Sequence, residues 1–149
     1  MKLIRMNTLF FALIILTLGA SSYAEQTREF GPYTVHYSVV NTTFLSPQVA
    51  SAYGITRGKK RAIVNIAVRA HGPEGSDRAK AARVTGRSWD LMKNQDISFR
   101  EISEQNAIYY IAEVSFINEE FRWFEISVVT DPNKPAYIFK FKKQLYVDS

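Results

Sequence analysis

The sequence predicts an all-β protein: an antiparallel, immunoglobulin-like β-sandwich of about seven strands, with one short helix between the first two. Three observations point there. Apolar and polar residues alternate in short runs, turn-forming residues separate the runs, and no segment after residue 24 holds a long helical period. A closed barrel would fit the same pattern.

Tyr33, Val35, Tyr37 and Val39 alternate with Thr34, His36 and Ser38, which places a strand with one buried face over 32–44. The stretch FLSPQVASAYGITRGKKR over 44–61 is of a different kind. Ser46 can cap free backbone donors, Pro47 presets the first helical φ, and Gly54 can end a helix, so two turns are expected over 47–53. Val49 and Tyr53 are four apart and share a face, which should plug one end of the sandwich while the connector carries the chain from one sheet to the other.

Ala62, Val64, Ile66 and Val68 repeat the alternation, and the turn formers of 70–77 stop it. AARVTGRSWDLM over 81–92 reads as a strand, with Gly86 a bulge or a point of close approach. A short strand over 97–102, a hairpin loop over 103–106 and a very apolar strand over 107–116 follow. A second hairpin is expected at 118–120, then strands over 121–130 and 136–147 around the turn residues of 131–135.

Four stretches, NTTFLSPQVASAYGITR, RAIVNIAV, ISFREISEQNAIYYIAEVSF and NEE, resemble the pattern of domain-of-unknown-function family 4426, small exported bacterial proteins. The resemblance runs over nearly the whole chain after residue 24. It implies an exported β-rich domain and supplies no catalytic residue, cofactor or substrate. The family motif carries a hydroxyl residue after its arginine, where this chain has Gly58 after Arg57.

Lys2 and Arg5, an apolar run over 9–18 and small residues before Glu25 form a secretory signal peptide, with cleavage expected after Ala24. That leaves 25–149 as a single β-sandwich domain, free in the periplasm and with no membrane span. Losing Lys2 and Arg5 lowers the net charge of +5 by two, a mildly basic balance. For an exported protein this favours an envelope protein or an anionic envelope polymer as partner over nucleic acid. The chain has no cysteine, so neither disulfides nor thiolate metal sites arise.

Specific catalytic constellations are lacking. His36 and His71 are the two histidines, too few for a histidine metal site without carboxylates brought in by folding. Glu101 with Glu104 and Glu119 with Glu120 lie at hairpin tips, where neighbouring carboxylates point apart rather than across a cleft. Ser38 or Ser115 could be written into a triad with His36, but no nucleophile elbow accompanies them. No cofactor is expected, and the reading is a non-enzymatic binding or accessory module. The alternative is a small periplasmic hydrolase using carboxylates and His36. Asn41-Thr42-Thr43 matches a glycosylation acceptor but reads as strand-end polarity.

Two surfaces are candidates for binding. Phe124, Ile126 and Val128 make a natural core face, which turns Trp123 outward, and Tyr109, Ile111, Trp123 and Ile138 would then form an outer patch bordered by Lys140. The competing expectation is that another segment, such as the Pro47 helix, covers it. The second surface is basic: Arg57, Lys59, Lys60 and Arg61, joined by Arg78, Lys80, Arg83 and Arg87 if their loops share one end of the sandwich.

Overall fold

The computed structural model describes residues 25–149. The expected signal peptide, 1–24, lies outside the described residues. Ten strands and one α-helix follow in order: β1 (Gln26–Phe30), β2 (Tyr33–Asn41), α1 (Pro47–Ala52), β3 (Arg61–Ala70), β4 (Arg78–Ala79), β5 (Arg83–Trp89), β6 (Asn94–Ile97), β7 (Arg100–Glu104), β8 (Ala107–Ser115), β9 (Glu120–Val129) and β10 (Tyr137–Leu145). Two antiparallel sheets result, a six-stranded one in the order β1-β2-β3-β8-β7 with β4 beside β3, and a four-stranded one in the order β10-β9-β5-β6.

The period-2 pattern puts one face of each sheet into a shared core. Val35, Val64, Ile66 and Val68 face Phe124, Ile126 and Val128 across it. Removing each such side chain from water contributes about 1.5–3 kcal/mol. Aromatic contacts close the side where β1 and β2 meet β10: Phe30 lies 5.1 Å from Tyr137, and Tyr37 lies 4.7 Å from Phe141, centroid to centroid.

Several expectations change in three dimensions. The first expected strand is preceded by β1, so α1 falls between the second and third strands. The segment 97–102 is not one strand: β6 pairs with β5, β7 pairs with β8, and the chain changes sheets at Ser98-Phe99. The turn at 118–120 does not close a hairpin, because β8 belongs to the larger sheet and β9 to the smaller. Gly86 keeps regular register and is a close-approach point: a Cβ there would lie 2.9 Å from the Glu125 carbonyl oxygen.

The helix forms where its signals stand. Ser46 accepts from the Val49 amide at 3.2 Å, Pro47 opens the first turn, and Gly54 follows at φ +63°. It does not plug an end, however, and its connector does not change sheets, since β2 and β3 are neighbours. Instead Leu45, Val49, Ala50 and Ile55 pack on Ile63 and Ile111, forming a second apolar cluster on the outer face of the larger sheet. The physical reason is that β3 and β8 carry apolar residues on both faces there, and the connector is the segment that covers the second one.

Candidate functional site

One end of the sandwich gathers the C-terminal ends of β2, β5, β8 and β10 and the starts of β3, β6 and β9. Its floor is Arg122, an inward-facing residue of β9 that is only 5% exposed. The guanidinium donates to Ser88 Oγ at 3.1 Å, to Glu120 Oε1 at 3.0 Å and to Asp90 Oδ2 at 3.5 Å, while its buried Nε has no partner. A cation so enclosed requires carboxylates close by, and Asp90 and Glu120 supply them.

The same carboxylates shape the loops. Asp90 Oδ1 accepts from the amides of Met92 at 2.6 Å and Lys93 at 2.8 Å, fixing the tight β5–β6 turn that holds Leu91 and Met92 out. The Met92 amide first, then a hydrogen bond with the Glu120 carboxyl, the Lys93 amide and the charge of Arg122 hold the Asp90 carboxyl below its usual range. Glu120 accepts from the Ile117 amide at 2.9 Å, fixing the crossover from β8 to β9. Leu91, Met92 and Ile117 are 90, 88 and 67% exposed. With Phe116, Phe121 and Trp123 they line a cleft of about 770 Å³ above Arg122.

Beside the cleft, the outer face of the smaller sheet carries aromatic and basic residues in alternation. Trp89 and Trp123 are direct cross-strand partners. The Lys142 ammonium stands 4.2 Å from the Phe121 ring centre and 5.0 Å from that of Trp123, and Arg87 lies 5.4 Å from Trp89. Glu125 pairs with Lys140 at 3.1 Å and Arg87 at 3.0 Å, which lowers its pKa, Lys140 first.

The outer patch anticipated from sequence does not assemble. Tyr109 and Ile111 lie on the outer face of the larger sheet, Trp123 and Ile138 on that of the smaller, with the core between them. Ile111 is buried beneath the connector, with Tyr109 packed against the same cluster. Lys140 does stand on the face of Trp123. The joint basic patch also separates: Arg61 and Arg78 stand near opposite ends of β3, a ten-residue strand about 30 Å long.

Among the first basic group, Arg61 is taken up by Glu113 at 3.2 Å, and Arg57 donates to the Thr43 carbonyl at 3.2 Å. Lys59 and Lys60 stay exposed at the cleft end. Gly58 bonds Thr42 Oγ1 through its amide at 2.9 Å, and a Cβ there would meet the Arg61 stem at 3.0 Å, so a side chain would have to displace it. Asn41 is buried, and its amide donates to the Tyr146 carbonyl at 2.8 Å and to Asp148 Oδ1 at 3.1 Å, so it is structural.

A smaller groove of about 150 Å³ lies on the outer face of the larger sheet, among Glu25, His36, Arg69 and Tyr109. There Glu25 pairs with His36. His71 bridges Asp77 and Glu29, each at 3.2 Å, and Thr34 Oγ1 lies 3.0 Å from its Nε2. Those carboxylates raise the His71 pKa, Asp77 first.

The profile of a domain of unknown function, DUF4426, matches residues 27–148. The chain belongs to the DUF4426 family. A crystal structure of a DUF4426 family protein (PA0388) from Pseudomonas aeruginosa PAO1 is 35% identical, covers 87% of this chain and 100% of its own, and superposes with a TM-score of 0.73. FetP of uropathogenic Escherichia coli strain F11, recombinantly expressed in the periplasm, is similar at 8% identity over 85% of this chain and 96% of its own, with a TM-score of 0.57. A copper-bound variant of that FetP gives 8%, 83%, 96% and 0.54. At such identity the likeness of this DUF4426 member to FetP is one of fold. Among curated proteins none matches the sequence.

Proposed function

We propose that this protein is an exported, non-enzymatic binding module that docks onto another component of the cell envelope through the end of the sandwich centred on Arg122 and Trp123. The observation that carries the reading is the cleft. The amides of Met92, Lys93 and Ile117 donate to the same two carboxylates that face Arg122, which fixes the turns and displays Leu91, Met92 and Ile117 outward on a tied base. Exposed apolar groups on fixed supports mark binding surfaces.

Export is supported by the leader-like sequence of 1–24. The hydrolase alternative gains little. Glu104 accepts from Tyr53 at 2.6 Å, whereas Glu101 lies three positions earlier on the opposite face of β7 beside Tyr110. His36 is engaged with Glu25 away from both. Copper belongs to the FetP variant and is not carried over, since among the described residues no group of three His, Cys, Asp or Glu could hold a metal ion.

The test is site-specific photo-crosslinking in the native envelope, with the photoreactive residue at Trp123 or at Met92 and, as control, at Lys134 in the β9–β10 turn. A discrete adduct from the cleft positions and none from Lys134 is expected. Equal labelling from all three positions in a folded, exported protein would remove the reading.

A further inference from the structure

Among the described residues seven large apolar side chains are markedly exposed: Phe44, Leu91, Met92, Ile117, Phe121, Ile138 and Tyr146. All but Ile138 lie at the cleft end. They come from five separate segments that end there: the turn after β2, the β5–β6 turn, the β8–β9 crossover, the start of β9 and the tail after β10. Random scatter of surface apolar residues is ordinary, but this concentration is not.

The charges at this end divide unequally. Asp90 and Glu120 are spent on Arg122, Glu113 on Arg61, and Asp148 on Asn41 and Thr43. Glu119 and, on β6, Asp96 are the acidic side chains left over there among the described residues. Against them stand the exposed Lys59 and Lys60 before β3, Lys93 after the β5–β6 turn, and Lys142 over the Phe121 and Trp123 rings. The apolar tips are thus ringed by cations, with Trp123, Trp89 and Tyr146 among them. Aromatic residues with a polar edge and lysines with long stems favour the level of lipid head groups.

We propose that this end rests on the surface of a bilayer containing anionic phospholipid, with Leu91, Met92 and Ile117 entering the acyl boundary and the lysines meeting the head-group phosphates. The inference deepens the binding-module reading and rests on it. Dispersed prongs suit a fluid surface, which closes around each one, whereas a folded protein partner would need a matching hole for each. Lysines around the prongs add attraction of about 1 kcal/mol apiece near an anionic surface, about a fivefold gain each. No helix among the described residues is long and apolar enough to cross a membrane, and this docking requires none.

The experiment is flotation of the folded chain 25–149 with phosphatidylcholine vesicles made with or without phosphatidylglycerol. Flotation with the anionic vesicles only, weakened by salt, is expected, with a blue shift of tryptophan emission. The triple change Leu91→Asn, Met92→Asn, Ile117→Asn should reduce partitioning at least about tenfold. Lys59→Gln with Lys60→Gln and Lys93→Gln should do so by about a hundredfold at low salt. Ile138→Asn, away from this end, should change nothing, and each variant is compared at matched thermal stability.

No flotation of the parent chain, or equal flotation of the triple variant, overturns the proposal. If flotation fails while Trp123 still crosslinks to a discrete protein, the binding module stands with a protein partner instead of lipid. If both fail, the binding module falls with it.

Discussion

The two ends of this sandwich are made of the same kinds of turn yet differ in what they hold outward. At the far end the β1–β2 turn, the loop after β3 and the β9–β10 turn expose polar residues, and His71 ties Glu29, Thr34 and Asp77 together in solvent. At the cleft end the ion pairs are turned inward around Arg122 and the apolar residues outward. A turn needs only its Asx hydrogen bonds, which Asp90 supplies, so nothing in folding requires Leu91 and Met92 at its tip. The difference separates residues that hold the fold from residues available to a partner.

The largest effect should come from removing the floor of the cleft. Arg122→Ala leaves two carboxylates without their cation and is expected to cost about 3–5 kcal/mol in denaturant unfolding; a loss within experimental error would show that the network contributes nothing. Asp90→Ala should lower Tm by less than this, because Glu120 and Ser88 remain on Arg122 while the β5–β6 turn loosens. Acid should act in the same direction on the parent. The Asp90 pKa is lowered in the fold, so its contribution is present above the usual carboxylate value and disappears as pH falls through the lower folded value.

At the far end the sign is reversed and the size smaller. The His71 pKa is raised, so its contribution is complete below about pH 6.5 and is lost as pH rises through the higher folded value. His71→Gln should therefore flatten the Tm profile above about pH 6.5, and an unchanged slope would show that the bridge is not made. Smallest of all is the stability effect of Leu91→Asn with Met92→Asn, expected within about 0.5 kcal/mol of the parent. A larger loss by calorimetry would mean that these tips support the fold and would erase the contrast between the ends.

Local signals carried much of the fold. Alternation located the long strands and the inward set Phe124, Ile126 and Val128, all three fully buried. Ser46, Pro47 and Gly54 located the helix. Pairing was less visible because it depends on residues far apart: a two-residue change of sheet at Ser98-Phe99 leaves no mark in composition, and β4 is too short for a period. Ile111 illustrates the limit at the candidate site. Its strand is apolar on both faces, and only the packing of Val49 and Ile55 decides that this face is covered. Trp123 is legible as outward-facing, while the strand expected over 81–92 runs on through Leu91 and Met92, because a lone Asp90 without Gly or Pro beside it is a weak turn signal.

Asn41 holds residues 146 and 148 from the other extremity of the chain. β2 is among the earliest strands to leave the ribosome, yet its last side chain waits for the C-terminal tail before its hydrogen bonds are made. Loss of the last four residues would leave the buried Asn41 amide without either acceptor, so the two extremities of the chain hold the cleft end together as one unit.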